Sequence, residues 1–176
     1  MTAPSTSLGE APAKAGPAFE RLYRECRDDV FAYVMGLLRD VHAAEDATAI
    51  AFERAYRKRR RFDPNRGNGR AWVFGIARNA ALDELRKRKR TVGLYAEPAD
   101  AETVASPGDE LGERRAALHQ AMSRLGDRDR ELIALRFFAD LSHAEIAEVL
   151  GISATNAATR LHRAIDKLRR ACDENA

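Results

Sequence analysis

The 176-residue sequence predicts an all-α protein: two small helical domains joined by a flexible acidic linker, the second containing a helix-turn-helix. Three observations predict it. Apolar residues recur at spacings of three and four in several separate stretches, which is helical periodicity. No segment sustains the alternation of a strand. The helical stretches also fall into two groups, separated by an acidic, proline-containing segment. The expected boundaries are a disordered tail over 1–16, a first domain over 17–91, the linker over 92–112 and a second domain over 113–176.

Residues 1–16 are mostly Ala, Pro, Ser, Thr and Gly, with almost no large apolar group to offset the entropy of ordering. Phe19, Leu22, Tyr23, Cys26, Val30, Val34 and Leu37 then share one face of a long amphipathic helix. Asp40 is placed to cap a second helix, in which Ala44, Ala47, Ala51, Phe52, Ala55 and Tyr56 form the buried stripe as far as Lys58. That helix runs into five consecutive cations, Arg57 to Arg61, a position that suits the negative end of its dipole. Residues Phe62 to Gly69 are dense in turn formers, so the chain leaves the helix there. Trp72, Val73, Ile76 and Ala80 restart a helical stripe that ends in Arg86 to Arg90, with Arg70, Arg78, Asn79 and Asp83 as polar groups on the same helix.

The stretch from Thr91 to Gly112 holds Pro98, Pro107 and several acids without a large apolar stripe, the composition of a tether. Beyond it, Leu118, Met122 and Leu125 outline one helix. Asp127 is placed to cap the next, whose Leu132, Ile133, Leu135, Phe137 and Phe138 are core-forming groups. Ser142 and Glu145 stand three apart and fit a capping box. Ile146, Ala147 and Leu150 make the apolar face of the short helix that follows, Gly151 suits the left-handed residue that ends it, and Ile152 fills the corner.

Ser153 is placed to cap a final helix, with Ala157, Leu161, Ala164 and Leu168 facing inward. Its opposite face carries Thr155, Thr159, His162, Arg163 and Asp166, flanked by Asn156 and Arg160. These short polar groups and cations can reach base edges or phosphates. A short helix, a turn containing Gly and a longer helix with a polar outer face match the motif that lays its second helix in the major groove.

The charge pattern agrees. A net charge of +3 is too small by itself to imply a polyanionic partner, but residues 19–90 hold 18 basic and 11 acidic side chains. Residues 91–113 hold six acids with no Lys or Arg, and residues 114–176 hold 11 basic and 9 acidic groups. A basic block of this kind is the electrostatic footprint of phosphate neutralisation. Cys26 and Cys172 lack the spacing of a disulfide framework or zinc site and read as free thiols. His42, His119, His143 and His162 form no ligand pattern, so no metal or other cofactor is expected. No nucleophile has a supporting base, so neither catalysis nor a small-molecule substrate is expected. No apolar run is long enough to span a bilayer and the N-terminus lacks a signal-peptide core, so a cytoplasmic protein without membrane insertion is expected.

Four stretches, taken together and in register, carry a family resemblance. They are Ala44-Glu45-Asp46 with Phe52 and Ala55; Phe62-Asp63-Pro64 through Arg66-Gly67; Arg70-Ala71-Trp72 with Ile76-Ala77-Arg78-Asn79; and Leu141-Ser142 through Ala164. Over about nine tenths of the chain, both modules in this order resemble the extracytoplasmic-function (ECF) group of bacterial RNA polymerase sigma factors. The resemblance implies core polymerase and promoter DNA as partners, together with an inhibitory anti-sigma factor. It makes the first module sigma region 2 and the second sigma region 4. It places Glu45, Asp46 and Phe52 at the contact with core polymerase.

The resemblance also makes the loop from Phe62 to Gly69 the receiver of a flipped minus-ten base, with Phe62, Asp63, Arg66, Asn68, Arg70, Trp72, Arg78, Asn79 and Arg86 serving that element. An aromatic on an apolar stripe, such as Trp72, belongs more readily to the core. Thr155, Asn156, Thr159, Arg160, His162 and Arg163 would face the minus-thirty-five element. The chain departs from the family pattern at Ala49 and Ile50, where Gln and Glu are usual, at Gly69, where an aromatic is common, and at Ala158, where a basic residue is frequent. Two other readings compete: a helix-turn-helix regulator that acts without being the sigma subunit, and a nucleic-acid enzyme with a helical DNA-binding tail. The acidic linker has two readings as well, an RNA mimic in the polymerase channel or a solvated spacer.

Overall fold

The computed structural model describes residues 15–62, 67–92 and 110–173, and no strand occurs among the described residues. Helix α1, Ala15–Leu38, begins two residues inside the stretch expected to be tail. Pro17 lies in its first turn, where a missing N–H removes no helical bond. The helix ends at Arg39, which takes the left-handed conformation (φ 53°) and donates its N–H to the Met35 carbonyl at 2.8 Å. Asp40 follows at once as N-cap of α2, Val41–Lys58, its carboxylate accepting from the Ala43 N–H at 2.9 Å. This two-residue connection folds α2 back along α1. A single 3-10 turn, Arg59–Arg61, closes α2.

Helix α3, Gly69–Val92, packs on both α1 and α2. Asn68 caps it, its side-chain oxygen accepting from the Arg70 N–H at 2.9 Å. Ala44, Ala51 and Ala55 of α2 and Ala77 and Ala81 of α3 are fully buried, and side chains this small let the helices approach closely. The larger core groups are Val30, Tyr33 and Val34 of α1 with Val73 and Phe74 of α3, and the rings of Tyr33 and Phe74 meet edge to face at 5.4 Å.

The second module contains α4, Glu110–Arg124, α5, Asp127–Phe137, α6, His143–Leu150, and α7, Ala154–Asp173. Helix α4 starts inside the expected linker, and the remaining linker residues, 93–109, lie outside the described residues, as do 1–14. Gly126, not Asp127, holds the N-cap position of α5. Asp127 instead pairs with Arg130 at 3.1 Å. The buried Arg130 guanidinium also donates to the carbonyls of Leu125 (2.6 Å) and Met122 (3.1 Å), which satisfies the end of α4 and fixes α5 against it.

Five residues expected on apolar stripes or in the core are exposed: Tyr23 (37%), Tyr56 (49%), Leu118 (48%), Phe137 (64%) and Phe138 (43%). The cause at the last two is chain reversal. Helix α5 stops at Phe137, Asp140 turns left-handed (φ 49°), and Ala139 and Leu141 take the buried places.

The modules do not stand apart. Helix α5 packs against α1, and α6 packs against α3. At this junction the buried Tyr33 hydroxyl donates to Glu131 at 3.2 Å, and Arg78 pairs with the same carboxylate at 2.7 Å.

Candidate nucleic-acid interface

Arg61, Phe62, Gly67 and Asn68 together with α3 residues as far as Asn79 line an open cavity of about 590 Å³. Phe62 and Trp72 form one wall, their rings tilted by 31° with centroids 5.0 Å apart. Arg61, Asn68 and Asn79 add polar groups to the lining, and Glu148 and Val149 of α6 close the far side. Stacking surface, amide groups and a cation converge here, which is the chemistry an unstacked base requires. Gly69 lies behind Phe62: a Cβ there would stand in ordinary contact, 3.4 Å, with both Leu22 and Phe62.

One cation, Arg61, lines the cavity, and others lie before it in the 3-10 turn and farther along α3. Arg60 and Arg61 are exposed at the end of the 3-10 turn, while Arg59 stacks 3.8 Å above the Tyr56 ring. Arg86, also exposed, lies 3.3 Å from Asp83 near the basic end of α3. Asn79 is exposed at the cavity edge. Asp63 and Arg66 lie outside the described residues.

Three side chains expected at the minus-ten element are engaged by groups on other helices. Arg70 pairs with Asp29, donates to the carbonyls of Phe138 (3.0 Å) and Ala139, and lies 3.6 Å from the Cys26 sulfur. Arg78 is held by Glu131. The Asn68 amide donates to Glu145 at 2.6 Å. Burial opposes the positive charge on Arg70, but the Asp29 carboxylate and the Cys26 sulfur hold its pKa above the ordinary arginine value. Burial also pushes the Cys26 thiol up, only partly offset by Arg70.

The partner acids Glu131 and Glu145 did not stand out in the sequence. Glu131 lies among apolar residues of α5 and Glu145 reads as a cap. Glu145 is a cap: Ser142 accepts from the Glu145 N–H while Glu145 accepts from the Ser142 N–H at 2.8 Å. Burial raises the Glu145 pKa, but the hydrogen bonds from Ser142 and Asn68 outweigh it and hold the carboxyl below its usual value.

The helix-turn-helix is formed by α6 and α7. Gly151 ends α6 with φ 67°, and Ser153 accepts from the Asn156 N–H at 3.2 Å to start α7. Ala157, Leu161 and Ala164 are buried, leaving Thr155, Thr159, Arg160, His162 and Arg163 exposed and Asn156 half-buried. The Thr159 hydroxyl donates to the Thr155 carbonyl at 2.9 Å, so it meets an incoming groove as an acceptor. His162 lies 3.2 Å from Asp166.

In the first module, Glu45 and Asp46 are exposed on α2, as are Ala49 and Ile50. Phe52 is not on that surface: it is buried, edge to face with Tyr23 at 4.8 Å, because the aromatic falls on the inward stripe of α2. No group of three or more metal-ligating side chains occurs among the described residues, and no described helix is long and apolar enough to cross a membrane.

Two family models match the chain, Sigma-70 region 2 over residues 22–91 and Sigma-70 region 4 over residues 115–168. Among curated relatives, the chain is 31% identical over 154 residues to the ECF RNA polymerase sigma factor RpoE of Cereibacter sphaeroides, covering 86% of this chain and 84% of the relative. It is 32% identical over 165 residues to the ECF RNA polymerase sigma factor SigW of Bacillus subtilis, covering 87% and 88%. Among solved structures, the fold is similar to that of the sigma factor RpoE crystallised with the anti-sigma factor NepR from Bartonella quintana. The TM-score is 0.72 at 24% identity, over 89% of this chain and 97% of that one.

Proposed function

Because the chain belongs to the ECF group of RNA polymerase sigma factors, we infer that it binds core RNA polymerase and directs promoter recognition, DNA opening and transcription initiation. The observation that carries this reading is the conjunction, in one chain and in family order, of an aromatic-walled cavity lined by Arg61 and two asparagines and a helix-turn-helix with a polar outer face. Exposed Glu45 and Asp46 offer the polymerase an acidic patch on α2.

Asn79 and the Phe62–Trp72 wall would hold an unstacked minus-ten base, with Asp63, Asn68 and the cations Arg66, Arg70, Arg78 and Arg86 along the strand. Thr155, Asn156, Thr159, Arg160, His162 and Arg163 face the minus-thirty-five groove. Opening then follows from tighter binding to unpaired than to paired minus-ten DNA, since equal affinity for both would shift nothing. The protein acts as a binding subunit without catalytic residues, in the cytoplasm where polymerase works. An anti-sigma factor is the expected inhibitor.

The test is reconstitution. Purified protein added to core polymerase should give discrete runoff transcripts from a library of genomic promoter fragments and should co-purify with the core. Failure to associate with core polymerase, or a set of transcripts identical to that of core alone, overturns the reading.

A further inference from the structure

Arg70 stands in the first turn of the helix that carries the cavity wall, yet it takes no part in the lining. Asn68, Ala71, Trp72, Gly75, Ile76 and Asn79 follow one stripe of α3 and its cap into the cavity. Arg70 is two positions from both Asn68 and Trp72, roughly 200° around the helix, and so points the other way. There each of its three guanidinium nitrogens meets an acceptor. Nη2 pairs with Asp29 of α1 and donates to the Phe138 carbonyl at 3.0 Å. Nη1 donates to the Glu25 carbonyl at 3.5 Å and lies 3.6 Å from the Cys26 sulfur, while Nε donates to the Ala139 carbonyl. The guanidinium carbon also sits 5.4 Å from the centre of the buried Phe74 ring. Of these partners Asp29 alone is an acid.

We propose that Asp29 is a positioning residue for strand capture, acting through Arg70: the pair ties the first turn of α3 to α1 and so sets Asn68 and Trp72 in the cavity, without either member touching DNA. The Arg70 N–H donates to the Asn68 side-chain oxygen at 2.9 Å, so the cap moves with Arg70. Both members of the pair belong to the first module, and the tie holds wherever the second module stands. The proposal deepens the sigma-factor reading and rests on it for the ligand, an unpaired minus-ten strand; it specifies that Arg70 serves that strand from behind the wall.

Positioning and simple electrostatics predict opposite signs. Deleting Asp29 removes a negative charge and frees Arg70 for a phosphate, and both changes alone would strengthen the hold on a polyanion. Positioning predicts a weaker hold. A guanidinium only 22% exposed that loses its counter-charge is drawn toward water and takes the first turn of α3 with it.

The test uses the full chain in complex with core polymerase and two probes cut from a promoter that the wild-type complex transcribes. One is a fork, an upstream duplex with an unpaired non-template minus-ten strand; the other is a blunt duplex that ends before that element. The ratio of the two affinities reads strand capture alone. In Asp29→Ala this ratio should fall on the order of tenfold, within the worth of one stacked base. Blunt-duplex affinity should stay within about twofold of wild type, and the slope of log K against log salt on the fork should not change. Asp29→Asn keeps the shape without the charge, guards against a failure to fold, and should show a smaller loss in the same direction. Arg70→Gln should match Asp29→Ala, and the double variant should lose no more than either single one, because the two side chains act as a unit.

A fork bound more tightly without Asp29 overturns the proposal. So does a salt slope smaller by about one in Arg70→Gln, the mark of a lost phosphate contact. Fork and blunt affinities that fall together reveal a defect of fold or docking instead of a positioning role, and also overturn it. An unchanged ratio, with the wild-type complex transcribing, strikes this proposal and leaves the sigma-factor reading in place. A wild-type chain that gives core polymerase no promoter to transcribe removes both.

Discussion

Asp40 carries two duties at one residue, capping α2 through the Ala43 N–H and pairing with Arg88 at 3.1 Å. The backbone hydrogen bond from Ala43 is the largest influence on it and, with Arg88, holds its pKa below the usual carboxylate value against the opposing effect of burial. A carboxyl whose folded pKa lies below its unfolded one stabilises fully above the unfolded value, about pH 4, and loses that contribution as pH falls through the folded value. Asp40→Asn keeps an equivalent cap, so its stability at pH 7 should fall by at most about 1 kcal/mol, the worth of the half-exposed ion pair. Its urea-unfolding free energy should decline less between pH 5 and pH 2 than that of wild type. An unchanged acid limb would mean that Asp40 does not titrate with folding. On α7, Arg163 is exposed on the outer face. In Arg163→Ala, affinity for promoter duplex should fall, by about 1–3 kcal/mol if the side chain reads a base. If it meets a phosphate, the loss should be uniform across sequences, with the salt slope of log K smaller by about one.

Helices declared themselves in the sequence where a cap and a periodic stripe coincided. Asp40, Ser142, Gly151 and Ser153 all occupy the capping or terminating positions that their chemistry favours. Between Arg124 and Asp127 the rule misassigned the cap by one residue, because the buried Arg130 draws Asp127 into an ion pair and Gly126 takes the cap without a side chain. The start of α5 can therefore be improved. Gly126 has extended dihedrals and open space where a serine Cβ would stand, so Gly126→Ser should add a capping oxygen at no steric cost and raise stability by about 0.5–1 kcal/mol in chemical denaturation. Gly151→Ala meets equally open space but a φ of 67°, and should cost about 1 kcal/mol from backbone strain alone. Equal stability of the two glycine variants would contradict both expectations. Phe137 and Phe138 show the limit of a composition rule at a helix end: apolarity marks a residue as able to be buried, but the direction of the turn at Asp140 decides which neighbours are.

At the scale of the whole molecule, the contact between modules had no local signature. Tyr33 and Arg78 meet Glu131 across 98 and 53 residues, and Asn68 meets Glu145 across 77, whereas periodicity reveals an apolar face without saying what covers it. The cavity was legible in part: Phe62, Asn68, Trp72 and Asn79, which the resemblance assigns to the minus-ten element, line it, but its far wall comes from α6, and Glu148 and Val149 carried no signal of that role. Closed and promoter-bound arrangements also place different demands on the chain between the modules. Residues 93–109 span at most about 60 Å when fully extended. Two promoter elements about 25 base pairs apart are separated by about 85 Å at 3.4 Å per base pair, so the modules' own dimensions must supply the remainder. Deleting eight residues within 93–109 removes roughly 27 Å of reach. Such a variant should still close, since α5 and α6 already touch the first module, and should still bind an isolated upstream duplex like wild type. Runoff transcription with core polymerase from a promoter carrying both elements should fall at least about tenfold, because simultaneous engagement is what multiplies the two affinities. Undiminished transcripts from the shortened chain would show that the modules need not occupy both elements at once.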